Sequence, residues 1–318
     1  MKKALIIIGS FIGVLILAVA GYAYHLYSSV QSTVDDQMHV SIEREKSAKR
    51  AIEVDVEAKE PLAFLLLGVD TSNVESGRSD TIMVITVNPE DESMKMLSIP
   101  RDTRTEIIGR GFDDKINHAY AFGGPEMAMD TVENYLDIPI DYFMAVNMDG
   151  FQDIVDALGG VTVDNPFSFT QSGHRFDEGE IFLEGEEALA YARMRRQDSR
   201  GDLGRNDRQR QIMTAIIDEG AHLSSVTRAQ SILDAMGNNI ATNLTFEQMM
   251  KIQSNYRSAR HSMTTLEIDG HGDRINNIWY YIVPEEERQR VSGKLQAHLD
   301  LERAVANNTD NDDEDDDA

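Results

Sequence analysis

Pro61-Leu62-Ala63-Phe64-Leu65-Leu66-Leu67-Gly68-Val69-Asp70 opens the main body of the chain. Nine successive residues without a charge, too short for a long helix and closed by glycine, valine and an acid, read as a strand buried on both faces. Thr81-Ile82-Met83-Val84-Ile85-Thr86-Val87 and Met94-Lys95-Met96-Leu97-Ser98-Ile99 follow as two more strands, joined at Asn88-Pro89-Glu90-Asp91-Glu92. Further on, a helix is expected from about Pro125, with Met127, Met129, Val132 and Leu136 on its apolar side. Tyr142 to Met148 reads as a strand, Phe151 to Leu158 as a helix stopped by Gly159-Gly160, and Val161-Thr162-Val163 as a strand. Helices are expected over Leu203 to Glu219, Val226 to Asn238 and Phe246 to Arg257, then a strand pair, Met263–Ile268 with Ile275–Val283, and a helix from Pro284 to about Val305. Strands mingled with helices in this way predict an α/β fold, a sandwich around a central mixed sheet.

Upstream of that body, residues 4–24 carry no Asp, Glu, Lys or Arg, and Lys2 and Lys3 precede them. Twenty-one helical residues cover roughly 30 Å, the thickness of a hydrocarbon core. Ala18-Val19-Ala20 resembles a signal-peptide cleavage site, but the apolar run continues through it to Tyr22, Ala23 and Tyr24, so a retained anchor is expected over residues 4–27. Residues 1–3 are then expected in the cytoplasm and everything after about residue 28 outside it. Residues 28–59, polar and without an apolar period, are expected as a stalk, residues 60–305 as the extracellular domain, and residues 306–318 as a disordered acidic tail. The tail lacks the turn glycine and closing glutamate of a calcium loop.

The 318 residues hold 30 Lys+Arg against 55 Asp+Glu, a net charge of −25, which excludes a surface built for nucleic acid, and the absence of cysteine excludes a disulfide scaffold and a thiol nucleophile. Against that background, residues 193–210 hold seven arginines (193, 195, 196, 200, 205, 208, 210) and only three acids (Asp198, Asp202, Asp207). Arginine's planar fork grips phosphate oxygens in pairs, and Arg205, Arg208 and Gln209 stand at helical spacings of three and four. A second grouping sits at strand ends: Asp70 after the first strand, Arg78 and Asp80 before the second, Arg101 and Asp102 after the third. Acids and bases at one sheet rim suit a divalent cation sharing a diphosphate with arginines, or simple surface ion pairs. No Walker loop, dinucleotide-binding glycine pattern, His-Glu-x-x-His or Gly-x-Ser-x-Gly is present. His118 and the 15 methionines read as packing residues.

The ordered series Leu67-Gly68-Val69-Asp70, Arg78-Ser79-Asp80-Thr81, Ser98-Ile99-Pro100-Arg101-Asp102-Thr103, Lys115-Ile116-Asn117-His118-Ala119-Tyr120, Ala190-Tyr191-Ala192-Arg193-Met194-Arg195 and Asp202-Leu203-Gly204-Arg205 through Gln209 resembles the LytR-CpsA-Psr family. The likeness spans about residues 60 to 220. It implies a membrane-anchored phosphotransferase that moves an anionic glycopolymer, such as wall teichoic acid, from undecaprenyl pyrophosphate to peptidoglycan, with an apolar pocket for the isoprenoid. Carried over by position, it implies that Asp70 and Asp80 hold Mg²⁺, with Mn²⁺ as the alternative ion. Arg78, Arg101, Lys115, Arg193, Arg195, Arg205 and Gln209 would surround the pyrophosphate. Asp202 would lie beside the reacting phosphate, with Arg101, Arg193 and Arg195 as its catalytic companions and Asp202 or Asp80 as proton acceptor. Arg210 departs from the family's Arg-Gln-Gln pattern. A polyprenyl-phosphate sensor without turnover and a lipid pyrophosphatase are the alternative functions.

Overall fold

The computed structural model describes residues 24–301, except 26, 45, 75 and 222–236. The expected anchor up to residue 23, most of the helix expected over Val226 to Asn238, and the acidic tail lie outside the described residues, among which no helix is long and apolar enough to cross a membrane. The first three strands are β1 (Leu62–Val69), β2 (Ser79–Asn88) and β3 (Ser93–Ser98), followed by a small hairpin, β4 (Arg104–Ile107) and β5 (Phe112–Lys115). Next come α1 (His118–Leu136), β6 (Tyr142–Val146) and α2 (Met148–Leu158). Gly123 and Gly124 break α1, so its long half starts at Pro125, where proline's missing N–H costs nothing. The side chain of Asn147 accepts the Gly150 N–H at the head of α2, and Gly159, at φ 90°, closes it.

Strands β7 (Val161–Asn165), β8 (Phe169–Gln171), β9 (His174–Phe176) and β10 (Gly179–Leu183) form two small hairpin pairs, β7 with β10 and β8 with β9. The helices α3 (Gly185–Arg193) and α4 (Asp202–Ala221) follow, then β11 (Ile240–Thr242), α5 (Phe246–Asn255) and β12 (Ser262–Leu266). The chain continues through β13 (His271–Ile275), β14 (Ile278–Ile282) and α6 (Glu285–His298). The strands expected at 263–268 and 275–283 do not pair with each other. Instead β12 lies parallel on β3, and β13 turns back onto β14 through Asn276 and Asn277, both at positive φ. An asparagine pair tolerates that turn, which a sequence reading tuned to glycine overlooks. The last helix also stops short of Val305, at His298.

A six-stranded mixed sheet, in the order β11-β6-β1-β2-β3-β12, forms the centre. Alternation along its strands serves two faces. Leu65, Leu67, Val84 and Leu97 pack with Met129 and Val132 of α1 and Val291 and Leu295 of α6. Phe64, Leu66, Met83 and Ile85 face the other way, toward Met213 and Ile217 of α4 and Met249 and Ile252 of α5. A further cluster around Val155, Val161, Leu183 and Tyr191 joins α2, α3 and α4 into the layer over this second face. The sandwich is therefore the mixed α/β arrangement expected. Because β1 and β3 both run antiparallel to β2, their carboxyl ends and the start of β2 share one rim, with Val69 opposite Ser79 and Met83 opposite Ser98.

Residues 28–59 lie on this domain and do not stand off as a stalk. Val30, Val34 and Met38 are buried against Ile240 and Phe246. Arg44 holds Asp130 at 2.8 Å, Glu133 at 2.7 Å and the Ile140 carbonyl at 2.7 Å, and Arg50 holds Asp141 and the Pro61 carbonyl. The apolar side of this segment is a few residues spread over loops, which is why no period announces it.

Buried on α6, His298 joins that helix to the sheet, with Nδ1 2.7 Å from the Thr86 hydroxyl and Nε2 2.9 Å from that of Ser93. Burial, then the Lys95 charge, lowers its pKa to about 4. A histidine held neutral in the fold binds its proton more readily when unfolded, so its contribution is complete above pH 6.5 and is lost as pH falls from there toward 4. The loss amounts to roughly 3 kcal/mol. Melting temperatures from pH 7.5 to 4.5 are expected to drop more steeply for the wild type than for His298→Asn; parallel curves would refute it.

Candidate active site

The rim built by β1, β2 and β3 is an acid–base cluster. Asp70 accepts the Arg78 backbone N–H at 2.9 Å on Oδ1, and the Arg78 guanidinium lies 3.3 Å from Oδ2. The loop between them returns through Gly77 at φ 105°, where a Cβ would sit 3.0 Å from the Asp70 carboxylate and 2.6 Å from Thr71. Beside it, Arg101 donates to Asp80 Oδ2 at 2.7 Å, while Asp80 Oδ1 is buried without a partner. Burial opposes the charge on Arg101, yet Asp80, with Asp202 and Asp102 behind it, holds its pKa above the ordinary arginine value.

The arginines arrive from the facing layer. Helix α3 ends at Arg193, residues 194–201 turn, and α4 starts at Asp202. Asp202 Oδ1 stands 3.0 Å from Arg195 Nε and 3.6 Å from Arg205 Nη1. Arg205 is 8% exposed, and its Nε has no partner. Burial, with the like charges of Arg101 and Arg195, lowers its pKa against the pull of Asp202 and Asp80. It remains a cation, since arginine does not deprotonate in proteins. Charges 100 residues apart in sequence thus meet around one point.

That point is the head of a cavity of about 1350 Å³. Asp70, Asp80 and Arg101 line it from the sheet rim, Arg193, Arg205 and Gln209 from the helices, and Arg195 from the turn between them. Phe64, Leu66, Met83, Ile85 and Val87 form its floor, the apolar second face of the sheet. Two of the residues expected around the pyrophosphate, and the acid expected beside the reacting phosphate, stand back from the wall. Arg78, 56% exposed, is turned onto Asp70; Lys115 is committed to Asp102 at 2.7 Å; Asp202 sits behind Arg195 and Arg205. Arg210 pairs with Asp207, which accounts for the departure at that position without a place in the cavity.

Arg208, expected on one donor stripe with Arg205 and Gln209, is instead turned inward, and with Asp198 it shapes the arginine turn. Arg208, 1% exposed, donates to Asp198 Oδ2 at 2.8 Å and to the Met194 carbonyl at 2.7 Å. Asp198 Oδ1 accepts the Arg200 N–H at 2.8 Å. Burial alone would raise the Asp198 carboxyl, but its bonds from Arg208 and the Arg200 N–H hold it below the usual carboxylate range. Gly204 leaves room for this: a Cβ there would meet Asp198 Oδ2 at 1.9 Å. The signal available in the sequence was an acid inside an arginine run, which reads equally well as surface neutralisation. Arg196, Arg257 and Arg260 also line the cavity and were not anticipated there.

A long apolar floor ending in a collar of guanidinium groups defines a protein that takes an amphiphile by an anionic head. The chain belongs to the LytR_cpsA_psr family, which it matches over residues 24–297. It is 59% identical over 304 residues to the polyisoprenyl-teichoic acid–peptidoglycan teichoic acid transferase TagU of Halalkalibacterium halodurans, covering 95% of this chain and 100% of that one. The TagU of Bacillus subtilis is 48% identical over 299 residues, 94% of this chain and 97% of its own. The crystal structure of B. subtilis TagU matches with a TM-score of 0.63 at 47% identity, covering 76% of this chain and 97% of that chain. TagT bound to LI-WTA gives a TM-score of 0.70 at 33% identity, covering 82% and 99%.

Proposed function

We propose that this protein is a transferase that moves a teichoic-acid-type glycopolymer from a polyprenyl diphosphate carrier to a hydroxyl of peptidoglycan. The observation that carries the reading is the single cavity joining an apolar floor to Arg101, Arg193, Arg195 and Arg205. The relatives that share this fold over nearly their whole length bear the name of that activity. The acceptor hydroxyl attacks the phosphorus that carries the polymer, the bond from that phosphorus to the bridging oxygen breaks, and polyprenyl phosphate leaves. The hydroxyl proton passes to a carboxylate of the rim. Negative charge that grows on the bridging and non-bridging oxygens meets guanidinium groups already in place, so little reorganisation is needed.

A Mg²⁺ ion fits the same rim. Mg²⁺ keeps several waters and takes one or two carboxylates together with substrate phosphates, so Asp70 and Asp80 suffice. Among the described residues no group of three or more metal-binding side chains exists; Asp80 Oδ1 is buried without a hydrogen-bond partner and suits a cation, whereas Asp202 Oδ1 already faces Arg195 and Arg205. The ion, when bound, neutralises charge developing on the diphosphate. Chelation by EDTA is expected to abolish transfer and added Mg²⁺ to restore it. Asp80→Asn is expected to raise the Mg²⁺ concentration for half-maximal rate at least tenfold; an unchanged requirement would refute the assignment. The apolar residues 4–27 serve as the anchor that keeps the domain on the outer face of the cell membrane, beside a carrier confined to the bilayer.

The decisive assay supplies the full chain with a lipid-linked glycan, Mg²⁺ and peptidoglycan oligomers. Glycan on the oligomer is the expected product. Phosphate release without transfer would assign a pyrophosphatase, and tight binding without either product a sensor.

A further inference from the structure

The cavity has two cationic ends, and only one has been used. Its floor follows β2 from Asp80 to Val87, seven residue steps or about 23 Å. At the far end the wall is completed by Arg257 and Arg260, in the short helical turn Arg257–His261 that leads into β12. The register places them: Ser262 pairs with Ser93, the start of β3, whereas Arg101 follows the end of β3. Among the described residues neither arginine has an ion-pair partner, and Arg260 Nη1 is buried with no hydrogen-bond partner. A buried guanidinium nitrogen without an acceptor is costly, the more so in a chain with 55 acids available to pair with it. Such a nitrogen points to an anion supplied from outside.

The surroundings identify which anion. Arg257 and Gln253 are exposed as well as lining the cavity, so it opens to the surface here too. Soluble polymer joined to the diphosphate lies beyond the other end; what reaches this mouth across the apolar floor is the tail. An extended polyprenyl chain outruns a trough of this length, so its remainder leaves at the Arg257 end for the hydrocarbon of the bilayer. Beside the mouth, Met250 is 46% exposed and lies three residues from Gln253, on the same side of α5. An exposed apolar side chain on the helix that leads into an arginine-bearing turn is the composition of a surface that sits at head-group level. Helix α5 also meets the last residue of the proposed anchor, because Phe246 packs edge-on against Tyr27 at 5.2 Å.

We propose that Arg257 and Arg260 form a second anion site that holds the phosphate of an anionic membrane phospholipid where the polyprenyl tail passes into the bilayer. The proposal rests on the function proposed above, and the test separates the two. Full chain in neutral detergent is titrated with phosphatidylglycerol, phosphatidylcholine, inorganic phosphate and geranyl diphosphate, with bound lipid read by native mass spectrometry. Wild type is expected to retain phosphatidylglycerol at least tenfold more tightly than phosphatidylcholine. The double variant Arg257→Gln/Arg260→Gln should lose that preference, keep geranyl diphosphate affinity within about twofold, and melt within about 2 °C of wild type. Arg257→Glu, a change at an exposed position, should weaken phosphatidylglycerol severalfold, and Arg257→Lys/Arg260→Lys should recover part of it. Phosphatidylglycerol binding that ignores these substitutions overturns the site. Equal competition by millimolar phosphate overturns the lipid assignment, as does displacement by a glycerol phosphate oligomer, which would give the site to the polymer. Failure of wild type to bind geranyl diphosphate would instead fall on the functional reading.

Discussion

Arg205→Met is expected to lower the transfer rate by a factor of about 10² to 10³ and to leave the protein as stable as before or more so. The two halves of that expectation come from the same geometry. Arg205 is 8% exposed, and its Nε donates to nothing. Its nearest carboxylate, Asp202, lies at 3.6 Å and is shared with Arg195. Burial and the neighbouring cations Arg101 and Arg195 lower its pKa, so the fold carries this charge at a cost. Replacing it with an unbranched apolar side chain removes the cost, worth up to about 3 °C in melting temperature for a chain of this size. A diphosphate reverses the sign, since the two negative charges spread over its four non-bridging oxygens pair with the guanidinium groups that burial alone disfavours. Steady-state rates and thermal melts on one preparation decide the matter. A variant that loses stability in proportion to activity would make Arg205 a structural ion-pair partner and remove it from the collar.

Asp198→Ala is expected to have the largest effect on stability, about 3–5 kcal/mol, or roughly 10 °C in melting temperature. Arg208 and Asp198 are 1% and 2% exposed at their side chains and meet at 2.8 Å. Removing the acid leaves a guanidinium enclosed under Phe169, with the ring centroid 5.7 Å away and only the Met194 carbonyl still accepting from it. It also frees the Arg200 N–H and loosens the turn between Arg193 and Asp202. Transfer should therefore fall beyond what unfolding explains, measured well below the melting temperature. The double variant Asp198→Ala/Arg208→Met should recover most of the stability, because no uncompensated charge remains, and little of the transfer. A melting temperature within about 2 °C of wild type for Asp198→Ala alone would refute the account.

The strands that build the floor were legible because they lie buried between two layers, so Leu62–Val69 reads as one apolar run whatever it packs against. The rim was legible for a related reason: strand ends are marked by the switch from apolar to charged, and three switches in antiparallel sequence must meet. What stayed hidden was direction. Arg78 and Lys115 are cations in the same neighbourhood as Arg101, Arg193 and Arg195, and only the carboxylates beside them, Asp70 and Asp102, turn them from the cavity, as the arginine pair Arg195 and Arg205 holds Asp202. The strand partners of the last third were hidden too. The pairing of β12 with β3 spans some 170 residues, and no local pattern encodes a contact at that separation. Arg257 and Arg260 carried no mark of their own, since two arginines three apart on a polar helix end are ordinary.

Arg44 and Arg50 give the amino-terminal segment a consequence for where the chemistry happens. A chain that left the bilayer as a loose leash would let its domain roam over tens of ångströms. Here two guanidinium clamps and the buried Val34 and Met38 turn the same residues into a bracket. With the proposed anchor in the bilayer, the bracket sets one height for the collar above the lipid surface. On the proposed function, polymer would then be added to glycan strands passing at that level, the ones nearest the membrane.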